Sequence, residues 1–249
     1  MEKLTSRKNE YIRALRRLSA EAQFRAECGE YICDGIKTLN EALAFGADVT
    51  SVLWKERAQP VPGLSCAVQY AAGEELFDYA SPMKNSPGPL FTVKIPAEDT
   101  AAPIRCAIVL ESVQDPGNVG TVIRTANAFG IDAVILTGNC ADLYNPKTVR
   151  ATMGAIFRQR VLCRGVDELM PLLAGNGLAL YGAALSARAA DIRRVDVKNA
   201  AVAIGSEGSG LSAALLALCR GEVIIPMQPD SESLNAGVAA SVVMWEMAR

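Results

Sequence analysis

IRCAIVLESVQDPGNVGTVIRTA, residues 104–126, decides how this chain reads. Ile104–Leu110 is an apolar run bounded by turn signals, as expected of a strand buried in a parallel sheet. A turn, Asp115-Pro116-Gly117-Asn118, then leads into a helix expected over Val119–Phe129. Working outward, the alternation continues downstream. Strands are expected at Ala133–Thr137, Gln159–Leu162, Leu178–Ala183, Ala200–Ile204 and Glu222–Ile225. Helices are expected between and after them at Asn145–Ile156, Val166–Ala174, Gly210–Cys219 and Ser233–Met247. This pattern predicts an α/β fold with a mainly parallel sheet and helices on both faces.

Upstream the pattern is interrupted. Ser81–Pro89 is rich in Pro, Gly, Ser and Asn and reads as a loop, and a polar connection runs over Pro96–Pro103. The domain boundary is placed near residue 98, giving a smaller α/β domain over 1–98 and the larger one over 99–249. In the smaller domain, apolar residues at helical spacing predict a helix over 8–26. A strand at Glu30–Cys33, a helix over 36–46 and a strand at Ser51–Trp54 follow.

Composition removes several function classes. The chain has no histidine, which excludes Ser-His-Asp and Cys-His triads, a histidine base and histidine metal ligands. Its seven cysteines form no CxxC pair and are read as buried, reduced thiols, so no metal is expected. No apolar run approaches the roughly 18–20 residues that span a bilayer, and the N-terminus is charged without an apolar stretch. No membrane association is expected, and a cytoplasmic location is. The net charge is −2, but residues 1–27 hold Lys3, Arg7, Lys8, Arg13, Arg16, Arg17 and Arg25 against four glutamates. The basic excess thus sits at the N-terminus, where the helix with Arg13, Arg16, Arg17 and Arg25 suits phosphate contact, and equally a solvated helix face.

Ligands of open parallel sheets bind beyond the carboxyl ends of the strands. Three turns there stand out. The first carries Asn118 and Gly120, with Arg124 one turn into its helix; Asn118 also reads simply as an N-cap. The second is Gly205-Ser206-Glu207-Gly208-Ser209-Gly210. It is either a tight connection or a ligand loop, and Glu207 would repel a phosphate but suits a cationic or hydroxyl-bearing ligand. The third is Ile225-Pro226-Met227 followed by Ser231-Glu232-Ser233-Leu234-Asn235. Capping of the last helix explains Ser233, with Asn235 then in its first turn.

Together these segments resemble the three motifs of the SpoU (TrmH-like) RNA methyltransferases. Asn118, Gly120 and Arg124 fit the first, Gly205, Glu207, Gly208 and Gly210 the second, and Ile225-Pro226-Met227 with Ser233-Leu234-Asn235 the third. The resemblance implies a trefoil-knotted α/β domain and a homodimer whose active site draws on both chains. It also implies S-adenosyl-L-methionine (SAM) as cofactor, held around Gly205, Gly208, Ile225, Met227 and Leu234. Asn118, Arg124, Glu207, Ser233 and Asn235 would form the catalytic cluster. More loosely, the N-terminal part is similar to the family's L30e-like substrate domain, with Asp34 in place of the usual acid. Arg13, Arg16, Arg17 and Arg25, together with Lys147 and Arg150, become candidates for RNA contact. The implied substrate is ribosomal or transfer RNA, with ribosomal RNA favoured by the extra domain.

The implied reaction transfers a methyl group to a ribose 2′-hydroxyl, and removal of that proton is its hard step. Neutralising an arginine near pH 7 costs about 8 kcal/mol. Arg124 is therefore read as the holder of an adjacent phosphate, with the proton leaving late. Asn118 and Asn235 would orient Arg124 or the ribose, and Glu207 would accept hydrogen bonds from backbone or Arg124. A catalytically silent RNA-binding relative and a Rossmann-type nucleotide enzyme are the competing readings. The second lacks the GxGxxG fingerprint.

Overall fold

A computed structural model describes every residue except 59, 60, 63, 65, 66, 100, 101 and 229–232. Cys66, Ser231 and Glu232 thus lie outside the described residues. The chain divides into two compact units, 1–97 with 142–157, and 98–141 with 158–249. The division at 97/98 falls beside the boundary read from the sequence. Residues 142–157, read there as part of the larger domain, pack with the first unit instead.

The first unit holds β1 (Glu2–Leu4), α1 (Glu10–Ala20), α2 (Ala22–Cys28), β2 (Glu30–Asp34), α3 (Ile36–Ala44), β3 (Val49–Lys55), β4 (Val68–Ala72), α4 (Glu74–Ala80) and β5 (Leu90–Lys94). Its five strands lie in the order β1-β4-β3-β5-β2, with β5 antiparallel to both neighbours. Asn9 caps α1 by accepting from the Tyr11 N–H at 2.9 Å. Ile12, Leu15 and Leu18 then recur on one face and bury against Leu76, Phe77, Ile32, Leu53 and Leu90. The single helix expected over 8–26 breaks at Glu21, whose backbone is extended. Beyond the break Arg25 points inward, only 3% exposed, and donates to the Leu18 carbonyl at 2.6 Å.

The second unit is built on β6 (Ala107–Glu111), α5 (Pro116–Phe129) and β7 (Ala133–Thr137). The chain then makes the excursion that belongs to the first unit and carries α6 (Pro146–Ala151). That helix, expected to reach Ile156, stops early because Met153 and Gly154 take positive φ values of 50° and 88°. Arg25 forms an ion pair with Asp142, and the Tyr31 and Tyr144 rings lie 4.7 Å apart. These contacts tie the excursion to α2 and β2. The chain resumes with β8 (Val161–Cys163), α7 (Val166–Gly175), β9 (Ala179–Ala183), β10 (Ala190–Asp191), β11 (Ala200–Ile204), α8 (Ala213–Leu218), β12 (Gly221–Ile224) and α9 (Ala236–Ala248).

These seven strands form one parallel sheet in the order β10-β12-β9-β11-β6-β7-β8. Strand side chains alternate between faces. Ala107, Val109, Ile135, Ala201 and Ala203 pack under Leu169 and Leu173 of α7, Leu215 of α8 and Leu211 just before α8. The alternate set, Ile108, Leu110, Val134, Val202 and Ile204, is equally buried and faces α5 and α9. β12 lies beyond β9, yet α9 packs on α5, which follows β6. Among the described residues, no helix is long and apolar enough to cross a membrane. Among the described cysteines Cys33 is buried, while Cys28 and Cys163 are exposed, so burial does not explain those two.

Candidate active site

The N-terminus of α5 differs from the sequence reading in a way that matters. Asp115, not Asn118, is the cap, and its Oδ1 accepts from the Asn118 N–H at 2.8 Å. Pro116 occupies the first helical position, where its missing N–H costs nothing. The Asn118 side chain is thereby released, and its Nδ2 donates to Glu207 Oε1. Glu207 receives a side-chain amide rather than backbone or Arg124.

A second shift occurs at α9. The helix starts at Ala236 and its cap is Asn235, which accepts from the Val238 N–H at 3.2 Å. Asn and Ser cap equally well, so local chemistry allows either start. The later start leaves Ser233 exposed and uncommitted to capping, with Leu234 half-buried. Gly237 then lies where α9 meets α5. A Cβ there would stand 3.2 Å from both Asn118 Oδ1 and Asn235 Oδ1. Asn118, Glu207 and Asn235 therefore converge, although they come from three separate loops.

The loop after β11 closes on itself. Gly210 N–H donates to the Ser206 carbonyl at 2.9 Å, and the Ser206 and Ser209 hydroxyls are 2.8 Å apart. The closure is so tight that a Cβ on Gly205 would fall 2.1 Å from the Gly210 carbonyl carbon. Only glycine fits there. Beside this loop lies a cleft of about 600 Å³, lined by Gly205, Gly208, Ile225, Met227 and Leu234, with Glu207 and Ser233 also on its wall. A mixed surface of exposed backbone, apolar side chains and carboxylate fits a ligand that joins a nucleoside to a cationic amino acid. Asn118 and Asn235 line an adjoining groove of about 520 Å³ between α5 and α9.

Arg124 is the one expected member that a single chain does not bring to the cluster. It is exposed, lines neither cavity, and makes no hydrogen bond among the described residues. Three residues near the cleft were missed in the sequence. Arg188 pairs with Glu222 at 2.9 Å on the cleft wall, Glu222 being only 12% exposed. Neither sits in a motif that would mark it. Glu111 is buried at the end of β6, and a carboxylate closing an otherwise apolar strand was its available signal. Among the described residues, no group of three or more His, Cys, Asp or Glu side chains could hold a metal ion.

A family model described as the SpoU rRNA Methylase family matches residues 105–245. The chain belongs to the SpoU rRNA methylase family. Among curated SpoU relatives, the 23S rRNA (guanosine(2553)-2′-O)-methyltransferase RlmP of Bacillus subtilis is 30% identical over 99% of both chains. Among solved structures, the SpoU methyltransferase AviRb from Streptomyces viridochromogenes in complex with AdoMet shares 25% identity at a TM-score of 0.87, covering 97% of each chain. An AdoMet-bound rRNA methyltransferase from Sinorhizobium meliloti superposes with a TM-score of 0.88 over 99% of this chain and 97% of its own, at 22% identity, and supports the fold alone.

For this SpoU protein the basic residues of the first unit sort into three kinds. Arg25 is buried and committed to Asp142 and Leu18, so it is not available to RNA. The chain turns at Glu21 between α1 and α2, and that turn folds the Arg25 side chain back onto the Leu18 carbonyl, which one continuous basic helix would not have done. Arg17 is exposed but paired to Glu21 at 3.0 Å and stacked on Phe24. Arg13 and Arg16 are exposed on α1, Arg16 lying 4.3 Å from the Tyr79 ring centroid, where Arg7 also stacks at 4.7 Å. Lys147 and Arg150 are exposed on α6.

Proposed function

We propose that this protein is a SAM-dependent RNA methyltransferase that methylates a ribose 2′-hydroxyl, with ribosomal RNA as substrate. The carrying observation is the convergence of Asn118, Glu207 and Asn235 beside a cleft walled by the 205–211 loop and by Ile225, Met227, Ser233 and Leu234. Two curated relatives that cover nearly this whole chain, RlmP and a uridine(2479)-2′-O-methyltransferase of Streptomyces viridochromogenes, act on 23S rRNA by name, which supports ribosomal over transfer RNA.

The protein's own residues take the following parts. Gly205, Gly208, Ile225, Met227 and Leu234 hold SAM, which supplies the activated methyl group when bound. Glu207 places negative charge on the wall that faces a sulfonium and an ammonium group, whereas Glu222 on the same wall is already paired with Arg188. Asn118 and Asn235 orient the ribose, and Ser233, free of capping duty, adds a hydroxyl on the same wall. Arg124 holds the phosphate beside the target nucleotide. It does so across a homodimer, because α9 exposes Val238, Val242 and Trp245 along its groove with α5, beside the half-buried Phe129. Exposed apolar clusters of this kind mark interfaces. The first unit contacts RNA through Arg13, Arg16, Lys147 and Arg150, with Arg17 contributing less because Glu21 already neutralises it. A cytoplasmic location follows from that substrate.

Two measurements test the proposal. Isothermal titration should show SAM binding to the intact protein, and mapping of 2′-O-methylation in total RNA, with and without the gene, should reveal one lost position in ribosomal RNA. An absence of heat at millimolar SAM would favour a silent RNA-binding protein.

A further inference from the structure

The carboxylate that ends β6 is almost out of reach of solvent. Glu111 is 6% exposed and accepts two hydrogen bonds from one residue, the Ser212 N–H at 2.7 Å and the Ser212 hydroxyl at 2.6 Å. Among the described residues no lysine or arginine pairs with it. Burying a carboxylate without a cation is costly, so an apolar side chain would serve the core better if packing were the only demand. What a leucine cannot supply is a directional, charged acceptor for two donors.

The position of Ser212 shows what those two bonds hold. Its hydroxyl also caps α8, accepting from the Leu215 N–H at 3.1 Å. Ser212 directly follows the 205–211 loop. At the other end of that loop, Ile204 pairs with Leu110 in the parallel ladder of β11 and β6. Entry and exit of the loop are thus fastened to consecutive residues of one strand, Leu110 and Glu111. The same strand leads into the turn that starts α5 and places Asn118. Both partners of the Asn118–Glu207 hydrogen bond are therefore set from one stretch of backbone.

We infer that Glu111 is a positioning residue for the methyltransferase reaction: through Ser212 it fixes the exit of the loop that carries Glu207 and walls the cofactor cleft. The cofactor part rests on the function proposed above; the order of the loop is measured without it. The experiment uses the full chain with Glu111→Gln, Glu111→Ala and Ser212→Ala, singly and with Glu111→Ala and Ser212→Ala combined. Glutamine keeps an acceptor for the Ser212 N–H and offers its amide to the hydroxyl, so it rescues in part and carries the test even where alanine prevents folding.

Amide hydrogen exchange over residues 205–211 should accelerate in each variant, while β7 and the first unit keep wild-type protection. SAM should bind about tenfold more weakly to Glu111→Ala, the equivalent of one charge-assisted hydrogen bond, and about threefold more weakly to Glu111→Gln. The combined variant should be no worse than Glu111→Ala alone, because the two residues act as one unit. Unchanged exchange in the loop, or additive losses of affinity, would overturn the inference. A wild-type protein that binds no SAM, with a loop that still loosens in the variants, would instead sink the proposed function.

Discussion

The Asn118 side-chain amide donates to the Glu207 carboxylate across 89 residues of sequence, and Gly237 lies against that same asparagine. Asn118 is released for this bond because Asp115 has taken over the capping of α5. Two acidic residues thus do different work around one amide: one ends the helix, the other receives the side chain. The arrangement is neutral at the amide and negative on either side of it, and charge changes at position 118 should be felt strongly.

Asn118→Asp sets a second carboxylate against Glu207, and like charges in contact favour protonation of one of them. Turnover at pH 7 is expected to fall at least tenfold and to recover partly as pH is lowered toward 5. Asn118→Ala should lose activity without that recovery. Steady-state rates of both variants across pH 5–8 check this.

Gly205 and Gly208 look equivalent in the sequence but differ in space. A Cβ on Gly205 meets the backbone of Gly210 and Leu211, whereas one on Gly208 meets nothing within 4 Å. Gly205→Ala is expected to abolish SAM binding and to lower the melting temperature. Gly208→Ala should melt with the wild type, so any affinity it loses reads a direct contact with the cofactor. Thermal melts and titrations on both variants separate the two cases.

Removing one partner of a buried ion pair leaves the other uncompensated. Arg25→Ala is therefore expected to cost about 3 kcal/mol of stability while leaving RNA affinity and its salt dependence unchanged. Arg13→Ala and Arg16→Ala should do the reverse, each reducing the slope of log affinity against log salt by about one. Denaturant melts and filter binding at several salt concentrations give both numbers.

Burial raises the Asp34 carboxyl above the ordinary carboxylate range, against the lowering effect of hydrogen bonds from Ser86 and Ser81. The folded state then holds this proton more tightly than the unfolded state does. The contribution of Asp34 to stability is therefore greatest in acid and is lost as pH rises through the folded-state value. Asp34→Asn should be more stable than the wild type at pH 7, with the advantage vanishing near pH 3. Melting temperatures of both proteins at the two pH values test the sign.

Trp245 is 57% exposed on α9 and meets Phe129 edge to face at 5.6 Å between ring centroids. The proposed dimer predicts a wild type of twice the chain mass by light scattering, and Trp245→Asp with Val238→Glu is expected to give a monomer and to abolish methylation. The monomer should keep measurable SAM affinity.

The sheet was legible because its strands are short apolar runs of fixed length. Ala133–Thr137 and Ala200–Ile204 match the structure residue for residue. Helix starts were harder to read. Asp115, Asn118, Ser233 and Asn235 can all cap, and only packing decides which of them does. The cofactor loop could be located from Gly205 and Glu207, but the Glu111–Ser212 tie could not, since its partners stand 101 residues apart. Arg25 was misread because the turn at Glu21, which folds it back toward Leu18, carries no glycine or proline to mark it. Residues 142–157 carry an ordinary helix signal, and nothing in their composition says which domain will receive them.

That excursion has a consequence for the order in which the protein matures. Until residue 142 has left the ribosome, Arg25 has no counter-ion and the Tyr31 ring lacks its neighbour Tyr144. The amino-terminal unit is thus completed only after β6, α5 and β7 have been synthesised. A fragment cut at residue 98 would keep every strand of its sheet and still leave Arg25 held by the Leu18 carbonyl alone, its carboxylate missing.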